Sequence, residues 1–161
     1  MQQTELEKED RFSVDVILVV FKYSENSMKL GVLNSEEKKL IFPESRLKSN
    51  QNTYELVNEL INKYVSMDRT CAFNISLCAL MDGPDRYYGD NEQRLSLIFR
   101  LDIPEEFKTY ENMKFIDGSD SAELVSEKRM GKDHGEALQM VLTYGFVNNK
   151  KGNFNSYEGA C

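Results

Sequence analysis

The sequence predicts an α+β domain, a mixed sheet sandwiched by helices, and three observations carry that prediction. Runs of β-branched and aromatic residues recur along the chain, each bounded by turn residues. Two stretches instead place apolar residues at the spacing of one helical face. The resulting order, strands then helix then strands then helix, belongs to a layered α+β or mixed α/β architecture. At 161 residues the chain holds one domain of ordinary size, since domains cluster near about 100 to 150 residues.

Phe12 to Tyr23 (FSVDVILVVFKY) is apolar on both faces through its centre and reads as a strand in the middle of a sheet. The turn signal Ser24-Glu25-Asn26-Ser27 joins it to a second short strand, Met28 to Leu33, as a hairpin. A third segment, Leu40 to Phe42, ends at Pro43. Thr53 to Val65 carries Leu56, Val57, Leu60, Ile61 and Tyr64 on one helical face, with Asn52 and Glu55 at capping-box spacing. Thr70 to Met81 and Arg94 to Leu101 read as strands, and Asn112 to Ile116 is a candidate for another. Asp133 opens a second helix to Tyr144, with Glu136 at capping-box spacing and Gly145 just beyond its end. Tyr54, Tyr64, Met140, Val141 and Tyr144 are read as core. The division is a polar N-terminal tail, 1–10, a domain over 11–146, and an Asn/Gly/Lys-rich C-terminal tail, 147–161.

Composition narrows the function classes. A hydrophobic fraction of 40% with 17 aromatics, 9 Phe plus 8 Tyr, can build a core. Twenty basic against 27 acidic residues leave −7, which disfavours nucleic acid as a partner because that affinity rests on counterion release by Lys and Arg. The N-terminus lacks a signal peptide's basic start and apolar stretch, and Val16 to Phe21, the longest apolar run, is about a third of the roughly 20 residues a bilayer crossing needs. A soluble, cytoplasmic protein with no membrane contact is expected. Cys71, Cys78 and Cys161 are too few and too scattered for a disulfide framework, so a reducing compartment and buried free thiols are expected. With one histidine, His134, far from Cys71 and Cys78 in sequence, no structural zinc site is expected.

The order of elements, with Pro43 closing a short strand before a loop and an amphipathic helix, resembles the Nudix hydrolase fold over roughly Arg11 to Phe146. That family's signature, G-x5-E-x7-R-E-U-x-E-E-x-G-U, presents glutamates to divalent ions and a diphosphate. With Glu59-Leu60 set on its E-U, the first glycine falls on Glu44, the next acid on Asn50, the arginine on Asn58, the metal-binding pair on Asn62 and Lys63, and the last glycine on Val65. Only Glu59 and Leu60 match. Leu80-Met81-Asp82-Gly83-Pro84-Asp85-Arg86 and Asp133-His134 are similar to the Nudix-type transcriptional regulators of sugar and NAD metabolism. There the domain has often lost catalysis and senses ADP-ribose or a related ligand, while a winged helix binds DNA. Fifteen residues follow Phe146, 161 − 146, too few for a winged helix.

Diphosphate hydrolysis needs Mg²⁺ or Mn²⁺ held by several carboxylates. Glu55 and Glu59 are weak candidates, since Lys63 takes the next turn of the same face; Asp82, Asp85, Asp90 or Glu92 are acids that could complete a relocated site. In the loop Asp82 to Gln93, Asp85, Arg86, Tyr87 and Tyr88 offer a guanidinium for phosphate and rings for stacking, and an exposed loop with aromatics packed on the sheet edge is an equal alternative. Arg46 and Lys48 are further candidates for an anionic ligand. His134 with Asp133 has the residues of a general base, though a packed or capping histidine is preferred.

The first expectation is therefore a non-catalytic Nudix-like domain binding a nucleotide-related ligand or a protein partner, with no cofactor. The second is a hydrolase using relocated carboxylates and Mg²⁺, and the third a structural or interaction subunit with a vestigial cleft. A homodimer is left open.

Overall fold

The computed structural model describes residues 11–66, 73–82, 92–110 and 112–148. Its elements are β1 (Arg11–Ser24), β2 (Ser27–Asn34), β3 (Leu40–Ile41), β4 (Glu44–Arg46), α1 (Thr53–Tyr64), β5 (Asn74–Met81), β6 (Glu92–Pro104), β7 (Lys114–Asp117), a 3₁₀ turn over Gly118–Asp120, α2 (Ser121–Ser126) and α3 (His134–Asn148). The fold is a mixed sheet with helices on both faces. Its main path runs β3-β2-β1-β6-β5, with β4 added to β1 and β7 to β2.

β1 is the axis of the sheet. On one side it pairs in parallel with β6 along its length, from Arg11 opposite Glu92 to Tyr23 opposite Pro104. On the other it pairs antiparallel with β4 through Asp15 to Ile17 and with β2 through Val20 to Ser24. Side chains alternate across a strand, and β1 buries both sets. Val16, Leu18 and Val20 face α1, packing with Leu56, Leu60 and Ile61, while Ile17, Val19 and Phe21 face α3, packing with Leu138 and Val141. The run Val16 to Phe21 is fully buried, which is why it shows no alternation in sequence.

α1 begins at the expected capping box: the Glu55 N–H donates to Asn52 Oδ1 at 3.0 Å and the Asn52 N–H to Glu55 Oε2 at 3.1 Å. Its buried stripe is the one predicted. Asp133 stands at the start of α3, its carbonyl accepting the Ala137 N–H at 3.2 Å.

Some expectations are corrected. α3 continues through Gly145 to Asn148, because a helical glycine costs only about 0.5 to 1 kcal/mol relative to alanine and does not by itself end a helix. Tyr54 and Tyr144 are 64% and 54% exposed, so neither is a core residue. Tyr64 and Val141 are buried and Met140 packs against the core, as read. The strand expected over Thr70 to Met81 is seen from Asn74, and 70–72 lie outside the described residues. The strand read as Arg94 to Leu101 extends to Glu92 and Pro104. β4 and α2 are additions that three and six residues are too short to announce by periodicity. Among the described residues no helix is long and apolar enough to cross a membrane.

Candidate functional site

The α3-facing side of the sheet carries a polar cluster toward the N-terminal ends of β1 and β6. Asp15 is buried and is the one acid of β1, and its position opposite Arg46 on β4 and Ser96 on β6 sets its neighbours. Arg46 Nε lies 3.5 Å from Asp15 Oδ1 and Arg94 Nη1 3.7 Å from Oδ2, so one carboxylate sits between two guanidiniums. Both cations reach the surface, the Arg46 side chain 48% exposed and Arg94 22%. Burial pushes the Asp15 carboxyl above the ordinary carboxylate range, Arg94 opposes this, Glu44 adds to it, and Arg46 opposes it again. Ser13, two residues earlier on the same face, is buried with its Oγ lacking a hydrogen-bond partner among the described residues.

Glu44, opposite Ile17 on β4, continues this cluster toward α3. The His134 ring is fully buried and stacks on Phe42. Its Nδ1 accepts the Phe42 N–H at 2.9 Å, which makes Nδ1 the unprotonated nitrogen, and Nε2 donates to Glu44 Oε2 at 2.5 Å. Lys132, whose backbone takes φ 53° immediately before α3, brings Nζ to 3.3 Å from the same oxygen. Burial alone would raise the Glu44 carboxyl, but the hydrogen bond from His134, together with Lys132, outweighs it and holds the group at about 2. The general-base assignment for His134 fails on this geometry: both ring nitrogens are engaged in joining β4 to α3, so it is the packed histidine that was preferred.

A second polar cluster lies at the other end of the same face. Arg100 donates to Tyr23 Oη and, at 2.9 Å, to Asp102 Oδ1, with its guanidinium 4.8 Å from the Phe21 ring centre. Cys78 is a free thiol beside Ser76, its Sγ 3.7 Å from that hydroxyl, and burial pushes its pKa up. A thiol so placed is a poor nucleophile.

Of the residues singled out in sequence, Arg46 joins the cluster at Asp15, and Lys48 is exposed just beyond it, its N–H donating to Gln51 Oε1 at 3.4 Å. Asp85, Arg86, Tyr87 and Tyr88 lie outside the described residues. Glu55 and Glu59 sit on the exposed face of α1 with Asn58, Asn62 and Lys63, across the sheet from Arg46. These residues do not fit a divalent ion. The Glu55 carboxylate caps the helix, Asn62 offers a neutral amide, and Lys63 brings a cation to the next turn. Among the described residues no three His, Cys, Asp or Glu side chains are placed to hold a metal. Asp15, Arg94 and Glu44 were not singled out as a site; the signal was Asp15 itself, a lone acid in a buried strand, which demands a charged partner.

No protein-family profile matches the chain. No curated protein matches it by sequence. Solved structures do match it by fold. The NUDIX domain of Shewanella oneidensis NrtR, crystallised with ADP ribose, is 10% identical with a TM-score of 0.61, covering 88% of this chain and 92% of its own. A mutT/nudix family protein from Listeria innocua is 14% identical with a TM-score of 0.59, over 89% and 98%. A C. elegans Ap4A hydrolase, solved as a binary complex, is 10% identical with a TM-score of 0.54, over 84% and 98%. The chain has the Nudix fold.

Proposed function

We propose that this Nudix-fold chain binds an anionic, nucleotide-related ligand of the ADP-ribose type without hydrolysing it. The observation that carries the reading is the pair Arg46 and Arg94, fixed from two strands by one buried carboxylate and still reaching solvent. Guanidiniums positioned in this way present planar donor edges to phosphate oxygens, and charge-assisted contacts of that kind contribute roughly 1.5 to 3 kcal/mol each. In a chain of net charge −7, these two guanidiniums offer an anion a local attraction. The absence of hydrolysis is supported by α1, where an amide and a lysine stand at the positions expected for metal-binding glutamates. ADP ribose enters as the ligand of a fold neighbour, and the free thiol of Cys78 fits a reducing compartment.

Titration calorimetry with ADP-ribose, AMP and inorganic phosphate, beside a Mg²⁺-dependent turnover assay, tests the reading. The expected result is binding of ADP-ribose that Arg46→Ala weakens about tenfold or more, the equivalent of losing one charge-assisted contact, without turnover. Mg²⁺-dependent cleavage that Glu44→Gln or Glu59→Gln removes would instead assign a hydrolase with relocated carboxylates. Failure of every nucleotide to bind would favour an interaction subunit.

A further inference from the structure

The Asp15 carboxylate is held in a way that leaves its two cations transferable. Arg46 Nε stands 3.5 Å from one oxygen and Arg94 Nη1 3.7 Å from the other, both beyond the roughly 2.7 to 2.9 Å of a direct charge-assisted contact. The neighbouring carboxylate is held otherwise, since Glu44 meets His134 Nε2 at 2.5 Å and Lys132 Nζ at 3.3 Å. The Asp15 side chain is only 4% exposed, so water gives its charge little support. Both guanidiniums, in contrast, extend to the surface.

The local charge decides what an incoming anion meets. The ionised groups acting on Asp15 are Arg94 from β6 and Glu44 and Arg46 from β4. Glu44 is matched by Lys132, and His134 is neutral because its Nδ1 accepts the Phe42 N–H. Two guanidiniums against one remaining carboxylate leave a single net positive charge, whereas a diphosphate carries two negative charges. The excess is relieved if Asp15 gives up its own. Burial already pushes that carboxyl above the ordinary range, Arg94 opposes the rise, Glu44 adds to it and Arg46 opposes it. Drawing the guanidiniums toward a phosphate weakens the two groups that oppose protonation and brings further negative charge close. Ser13, two residues along the same face of β1, has a buried hydroxyl without a hydrogen-bond partner among the described residues, an acceptor of the kind a neutral carboxyl requires.

We propose that ligand and proton bind this site together: an anion that engages Arg46 and Arg94 is taken up with one proton, which passes from water to the Asp15 carboxylate. The inference rests on the anion-binding reading of the same cluster and adds how that site responds to pH. The free site with an ionised carboxylate and the occupied site with a neutral carboxyl differ by that proton, and no other bond is made or broken. Affinity therefore rises as pH falls, and it stops rising once Asp15 is protonated in the free chain as well. A carboxyl raised by one pKa unit in the complex corresponds to a gain of about tenfold in affinity. Glu44, held at about 2, stays ionised between pH 5 and pH 8 and does not compete for the proton.

Titration calorimetry of the full chain with ADP-ribose from pH 8 to pH 5, each point in two buffers of different ionisation enthalpy, counts the protons. ADP-ribose suits the purpose because its diphosphate, esterified at both ends, lacks the monoester proton that titrates near about pH 6. The expected result is an affinity that rises about tenfold toward pH 5 with up to one proton taken up. Asp15→Asn, whose amide is neutral at every pH, should bind with no uptake and a flat pH profile. Binding without uptake in the wild type, or uptake that persists in Asp15→Asn, overturns the inference and leaves the binding reading standing. A folded Asp15→Asn that no longer binds shows that the ionised carboxylate is itself required, and overturns it too. ADP-ribose that fails to bind at every pH overturns both. Should Asp15→Asn not fold, proton NMR of the wild type decides, because the chain has a single histidine, the side chain whose charge ordinarily changes in this range. Uptake with the ring signal unmoved upholds Asp15, and uptake with the ring signal shifted to that of imidazolium overturns it.

Discussion

Asp15, Glu44 and His134 show how buried polar groups are kept affordable in this core: each has a charged or hydrogen-bonding counterpart within the same face. Glu44 is held at about 2 in the folded chain against an ordinary 4.5, so folding favours its ionised form. That contribution, on the order of 3 kcal/mol at most, is complete above pH about 4.5 and is lost as pH falls toward 2. Urea denaturation between pH 5 and pH 2.5 should show the loss, and Glu44→Gln should be less stable at pH 5 with a flatter acid limb. Asp15 acts in the opposite sense. Its carboxyl is raised in the fold, so its contribution is greatest when protonated and diminishes as pH rises through the folded value; Asp15→Asn should therefore steepen the acid-side decline. Asp15→Ala also strips two guanidiniums of their shared acceptor, and since Arg46 is half-exposed the expected cost is about 1 to 3 kcal/mol by urea midpoint. In sequence, Asp15 was not singled out and Arg46 was legible only as a loose cation. That they meet was not, because the meeting depends on the β1–β4 register, which three polar residues after Pro43 do not announce.

Helices and strands with long apolar periods were legible because each advertises its own buried face. α1, with its capping box and its stripe from Leu56 to Tyr64, needs nothing from the rest of the chain to be recognised. Leu60→Ala should cost roughly 2 to 5 kcal/mol and Val141→Ala roughly 1 to 3, since both are buried on the sheet-facing sides of their helices. Shifts below about half a kcal/mol at both sites in chemical denaturation would contradict those faces. β4, α2 and the turn before α2 were illegible for the opposite reason: their form comes from tertiary neighbours. At Gly118 a Cβ would lie 2.7 Å from the Met28 carbonyl oxygen and 2.6 Å from Met28 Cε. Backbone crowding of that kind cannot be relieved by a rotamer change. Gly118→Ala is expected to lower stability by about 1 to 3 kcal/mol, with the melting temperature as the measure and with little effect on ligand affinity, because the turn is distant from Asp15 along the sheet.

A polypeptide is made in one direction, and the parallel ladder between β1 and β6 gives that direction a cost. Residues 11–23 find their counterparts only at residues 92–104, so the central strand must wait while the intervening chain is synthesised. At about 5 to 20 residues per second the wait is several seconds, far longer than the roughly 1 to 10 μs a hairpin needs to form. The nascent chain therefore first holds a β1–β2 hairpin whose other edge, Val16 to Phe21, is bare and wholly apolar. Chains arrested before residue 92 should lack cooperative unfolding and be rapidly digested by protease, whereas chains arrested far enough beyond residue 148 to clear the ribosome should resist it. Until then the same six residues that later form the driest part of the protein are its stickiest, and crowding on a polysome is a circumstance in which this fold is exposed to failure.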